Sequence, residues 1–115
     1  MEETLDFALE LNTELANFYC AMAYPGSRLY DIAIQEGWKL PKEWHSYSQH
    51  SYETIPLPTK YISTGEVLRF RDNAFSRYYE NADYLNMIEH KFGDSAKEHI
   101  KKMTETRLRR KLLEE

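Results

Sequence analysis

The chain has 115 residues, of which 42% are hydrophobic, 30% charged and 14% aromatic, with nine tyrosines and a net charge of −4. One domain of this length buries roughly two-thirds of its unfolded surface, and so aromatic a composition excludes a disordered tail. The acidic balance argues against a nucleic-acid partner, the lone Cys20 excludes a disulfide framework or a Cys-rich metal cage built from this chain, and no apolar run approaches the ~18 residues of a membrane span.

Residues 2–11 predict a helix, with Leu5, Ala8 and Leu9 on one face, Glu2, Asp6 and Glu10 opposite, and Asn12-Thr13 as its stop. Ala16 to Ala23 is almost unbroken apolar sequence, short for a helix and suited to a strand buried on both faces. Tyr24-Pro-Gly-Ser27 ends it, because proline cannot extend a ladder and glycine permits a positive φ. Ser27 is a good N-cap for a helix reaching about Glu36, where Gly37 can supply a left-handed end.

Residues 38–62 hold Pro41, Pro56 and Pro58 among two tryptophans and three tyrosines, and predict an ordered loop laid over a surface. Ser63-Thr-Gly-Glu66 has capping-box spacing and opens a helix whose stripe is Val67, Phe70, Ala74 and Tyr78. A further helix spans about 82–92, closed by Gly93. The last starts at Asp94 and continues inward through Ala96, Ile100, Leu108 and Leu112. Arg107-Leu-Arg-Arg-Lys111 is then expected in its final turns, where cations oppose the helix dipole.

The expected fold is mainly α with one short β segment. A single strand leaves buried donors and acceptors unpaired, at a cost of about 1–3 kcal/mol each. The reading that removes this cost is truncation: helix, strand, loop and helix form the closing unit of a TIM-like barrel whose other strands lie elsewhere. The alternative is a stand-alone helical interaction module that dimerises through the apolar strand.

Phe18-Tyr-Cys-Ala-Met-Ala-Tyr-Pro-Gly-Ser-Arg-Leu-Tyr-Asp31 resembles the sixth barrel strand and following loop of radical S-adenosylmethionine enzymes. Trp44-His-Ser-Tyr-Ser-Gln-His-Ser-Tyr52, Pro56-Leu-Pro-Thr59 and Glu66-Val-Leu-Arg-Phe-Arg-Asp72 resemble the C-terminal region of the cobalamin-binding branch, which includes magnesium-protoporphyrin IX monomethyl ester oxidative cyclases. The resemblance implies three parts. Residues 1–37 would end the barrel, 38–62 would form an aromatic connector, and 63–115 would be a C-terminal helical extension. It implies a parent that uses an iron–sulfur cluster, S-adenosylmethionine and cobalamin, is cytoplasmic, and has the rest of its own chain as this segment's partner. The family's Cys-x-x-x-Cys-x-x-Cys triplet is missing here, so the fragment alone is expected to be catalytically silent, to bind no cofactor or metal, and to be capable of self-association.

Two groups are candidate site residues. Ala23, Tyr24, Pro25 and Gly26 would border S-adenosylmethionine through the backbone, if they are more than a tight turn. Gln49 and His50 would lie near substrate, the histidine as a proton donor, or else simply bond the loop to the surface beneath it. His45 and His50 are five apart, which matches no standard zinc motif. His90 and His99 are expected to be solvated.

Overall fold

The computed structural model describes residues 1–115 and contains six α-helices and no β-strand. They are α1 (Glu2–Leu11), α2 (Arg28–Gln35), α3 (Thr64–Tyr79), α4 (Ala82–Phe92), α5 (Asp94–Glu105) and α6 (Lys111–Glu114), with a 3-10 turn at Trp44–Tyr47. None is long and apolar enough to cross a membrane. The chain divides into two compact units, Met1–Phe18 with Asp72–Arg107, and Tyr19–Arg71 with Leu108–Glu115, so α3 contributes to both.

Local signals place most helix ends. Asn12 takes the left-handed conformation (φ 47°) and its N–H bonds back to the Ala8 carbonyl, closing α1. Ser27 caps α2 by accepting from the Tyr30 N–H. Ser63 and Glu66 form the expected capping box: the Glu66 carboxylate accepts from the Ser63 N–H at 2.9 Å, and Ser63 Oγ accepts from the Glu66 N–H at 3.3 Å. Asn81 caps α4 through Oδ1, a cap that its sequence neighbours do not announce.

The expected β segment is corrected by the structure, and with it the closing βα unit of a barrel. Residues 16–23 are extended, yet they join no ladder. Ala16, Phe18, Cys20 and Met22 are at least partly covered, whereas Asn17, Tyr19 and Ala21 are exposed, so as far as Met22 alternate residues are covered, and only at Ala23 is a residue of the other parity buried. Its backbone is bonded chiefly by side chains. In the first unit the Tyr79 hydroxyl accepts from the Ala16 N–H (3.1 Å) and donates to the Ala16 carbonyl (2.8 Å). The Tyr84 hydroxyl donates to the Glu14 carbonyl (3.0 Å), and that of Tyr78 to Thr13. In the second unit Gln49 takes both backbone groups of Cys20, and the Leu57 N–H donates to the Ala21 carbonyl at 2.9 Å. A sheet is unnecessary because these partners perform its task.

Tyr78, Tyr79 and Tyr84 are also the centre of the first unit's core. Their rings lie 5.1–5.2 Å apart and are at most 2% exposed, with Ile88 beside them and Phe18, Phe75 and Ile100 packed around. Buried tyrosines need hydroxyl partners, and the extended segment at 13–16 supplies them. In the second unit Ala23, Ala33 and Leu57 form a smaller cluster under Tyr30, Trp38 and Leu40.

The last helix is also shorter than its periodicity predicts. α5 ends at Glu105, and 106–110 are non-helical. The basic run therefore does not cap a dipole. In the second unit Arg110 is 2% exposed and donates to the Ser51 carbonyl at 2.9 Å, while the Lys111 N–H donates to the Tyr52 carbonyl at 2.8 Å.

Candidate functional site

Both groups of candidate residues belong to the second unit. Tyr24 to Ser27 makes a tight turn in which the Tyr24 carbonyl accepts from the Ser27 N–H (3.1 Å) and from Ser27 Oγ (2.7 Å). Ser27 thus locks the turn and caps α2 with one oxygen. Gly26 sits at φ +87°, and a Cβ built there would meet no atom within 4 Å. The position requires glycine for its backbone, and its outer face is open. Ala23 is buried, whereas Tyr24 is exposed and contacts the Tyr47 ring at 6.1 Å between centroids. Tyr47 in turn donates to the Pro41 carbonyl, and burial, with Tyr30 beside it, pushes its phenol upward.

Gln49 is 8% exposed and lies flat against the extended segment. Its Oε1 accepts from the Cys20 N–H and its Nε2 donates to the Cys20 carbonyl, both at 3.0 Å. This is the two-bond pattern of an antiparallel strand pair, supplied by one primary amide. The structure therefore brings Gln49 to the chain four residues before the turn, and each polar atom of its amide is engaged. The neighbouring His50 points elsewhere. It is exposed, and its Nε2 lies 3.5 Å from Nη2 of the buried Arg71.

Sequence reasoning passed over a third cluster. His45 Nε2 and Glu53 Oε2 lie 2.8 Å apart, and Ser46 Oγ reaches the same carboxylate oxygen at 3.5 Å. The bond from His45, aided by its charge, holds the Glu53 carboxyl below its ordinary range. An eight-residue spacing inside a proline-containing loop follows no helical or strand period, so only the 3-10 turn at 44–47 reveals the pair. No trio of His, Cys, Asp or Glu side chains converges closely enough to hold a metal ion. His90 and His99 are exposed on α4 and α5.

Comparison with known proteins gives a distant relationship. An uncharacterized methyltransferase of Pyrococcus horikoshii is 27% identical over 79 residues, which is 69% of this chain. The chain spans 17% of that protein's length. No protein-family model matches, and neither does any solved structure. The chain is thus a partial, distant homologue of a methyltransferase.

Proposed function

We propose that this chain is a helical part of a cobalamin-dependent radical S-adenosylmethionine protein, methyltransferase-like or oxidative-cyclase-like, in which it binds and caps rather than breaks bonds. The observation that carries the reading is the kinship to a methyltransferase along more than two-thirds of the chain. The motif resemblance around Pro25-Gly26 and Gln49-His50 supplies the finer class.

In this reading the Tyr24–Ser27 turn borders S-adenosylmethionine. The open face of Gly26 leaves room for a ligand to approach the backbone, as such a contact needs. Gln49 acts as a positioning residue: by fixing Cys20 it fixes the approach of the chain to Ala23 and the turn. His50, exposed beside Arg71, is the group able to pass a proton to or from substrate. The residues present do not fit an iron–sulfur cluster, since one cysteine offers one thiolate where the family uses three. The cluster and cobalamin then belong to the remainder of the parent protein, which is this segment's partner.

The genomic reading frame is the direct test. A frame that continues upstream of Met1 and encodes a Cys-x-x-x-Cys-x-x-Cys triplet is expected; a closed frame with no such triplet refutes the reading. In the full protein so encoded, Gly26→Ala should weaken S-adenosylmethionine binding in calorimetry. Unchanged affinity would remove the turn from the site.

A further inference from the structure

The second unit contains a cleft of about 380 Å³ framed by residues 39–46, residues 53–55 and α6. It is separate from the Tyr24–Ser27 turn and from His50. Its size falls within the range of small-molecule pockets. Pro41, Leu40, Ile55 and Leu112 give it apolar walls.

Three lysines line it, Lys39, Lys42 and Lys111. On the first unit Lys91, Lys97 and Lys101 are each paired with a glutamate. Lys39 and Lys42 make no such pair, and Lys111 acts on Glu53 only at longer range, although Glu43, Glu53 and Glu115 all line the same cleft. Two hydroxyls are buried at the wall: Ser46 is 3% and Thr54 2% exposed. Both are held only by long contacts, Ser46 Oγ to Glu53 at 3.5 Å and Thr54 Oγ1 to the Met22 sulfur at 3.7 Å. Either can turn to an incoming acceptor at little cost, because neither gives up a short bond. Glu53, the carboxylate that Ser46 reaches, is already engaged by His45.

We propose that this cleft binds a small organic anion of the phosphate-ester class, its phosphate met by Lys39, Lys42 and Lys111 with the Ser46 and Thr54 hydroxyls, and its organic part lying on Pro41, Ile55 and Leu112. Cations drawn from separate stretches of chain and free of close ion pairs are the expected recognition set for phosphate. The apolar walls distinguish an ester from the free ion. The site rests on its own geometry and stands or falls independently of the methyltransferase reading.

The test uses the whole chain, isotope-labelled, titrated with phenyl phosphate at low salt and followed by amide shifts. Saturable shifts at Ser46, Thr54 and Ile55 are expected. Lys42→Gln and Lys111→Gln should each weaken binding about 2- to 5-fold, the scale of an exposed charge contact. Glu43→Gln should tighten it by about 2-fold, since it removes a like charge. This gain cannot arise from misfolding. Inorganic phosphate and benzyl alcohol, each carrying half of the probe's chemistry, should both bind more weakly than phenyl phosphate. Absent saturation, indifference to both lysine substitutions, weaker binding by the Glu43 variant, or a comparator that binds as tightly as phenyl phosphate would overturn the proposal.

Discussion

Replacing Gln49 isolates the interaction that stands in for a sheet in the second unit. Gln49→Leu keeps the side chain's approximate size and apolar stem and deletes both bonds to Cys20. Losing each bond leaves one backbone group of Cys20 unsatisfied, at about 1–3 kcal/mol apiece. Cys20 is only partly buried, so water can reach some of its backbone and that cost lies near the lower end of its range. The sum is a loss of about 2–3 kcal/mol, measured as a lower urea midpoint at unchanged slope, with faster hydrogen exchange at the Cys20 amide. A loss under about 0.5 kcal/mol with Cys20 exchange unaltered would refute the claim that this amide replaces a strand partner.

Gln49→Glu tests the same geometry by its pH dependence. A carboxylate accepts from the Cys20 N–H but opposes the Cys20 carbonyl, whereas the protonated acid restores the donor. Both partial burial and the facing oxygen raise the carboxyl's folded pKa above its ordinary ~4.3. A group raised in this way contributes its full stability below the unfolded value and loses it as pH rises through the folded one. The variant should therefore come closest to the parent protein near pH ~4 and fall behind towards neutrality. A deficit that widens on acidification would show that the carboxyl does not face the Cys20 carbonyl.

In the first unit, Tyr79→Phe removes a hydroxyl that serves Ala16 twice and should cost about 1–3 kcal/mol by urea titration, against about 1 kcal/mol for Tyr84→Phe; equal losses would disprove the double bond. Burial, reinforced by Tyr79 and Tyr78, pushes the Tyr84 phenol up to about 12, so its contribution to stability is complete below pH ~10 and disappears as pH climbs through that value. Phenolate absorbance should accordingly show a late-titrating tyrosine that Tyr84→Phe abolishes. Ser63→Ala should destabilise by about 1 kcal/mol. The Glu66 carboxyl, held low by the Ser63 side chain and N–H, contributes above the ordinary carboxyl range and loses that contribution as pH falls through its lowered value, so Glu66→Gln should flatten the acid limb of the stability profile. Gly26→Ala should cost about 1–2 kcal/mol from backbone strain alone, as φ is +87° and nothing crowds the new methyl, while Gly26→Asn should cost less; equal stability of all three would mean that the turn relaxes.

The features legible in the sequence are those decided within a few residues. α1 and α4 run between the expected ends, and Ser27, Ser63 and Gly93 mark boundaries, because a cap is a bond between near neighbours. The errors share a cause of the opposite kind. Ala16–Ala23 has the composition of a doubly buried strand, but what decides its state is whether its N–H and C=O groups find partners. Gln49 is 29 positions from Cys20, Tyr79 is 63 from Ala16, and Tyr84 is 70 from Glu14. No local period reports a tyrosine hydroxyl or a glutamine amide acting as a strand's neighbour.

The early end of α5 has the same origin. Nothing between Thr104 and Lys111 breaks a helix by propensity, since neither glycine nor proline occurs there. Arg110 is instead drawn to the Ser51 carbonyl 59 residues back, and a buried guanidinium with a charge-assisted bond outweighs a few residues of helix propensity at a few tenths of a kcal/mol each. The candidate site divides along the same line. Tyr24–Ser27 was readable because proline, glycine and serine dictate that turn among themselves. The engagement of Gln49 with Cys20 was not, because it joins residues 29 positions apart. A substitution at Gln49 should therefore shift the Gly26 amide resonance without any ligand present, as a residue serving only a ligand would not.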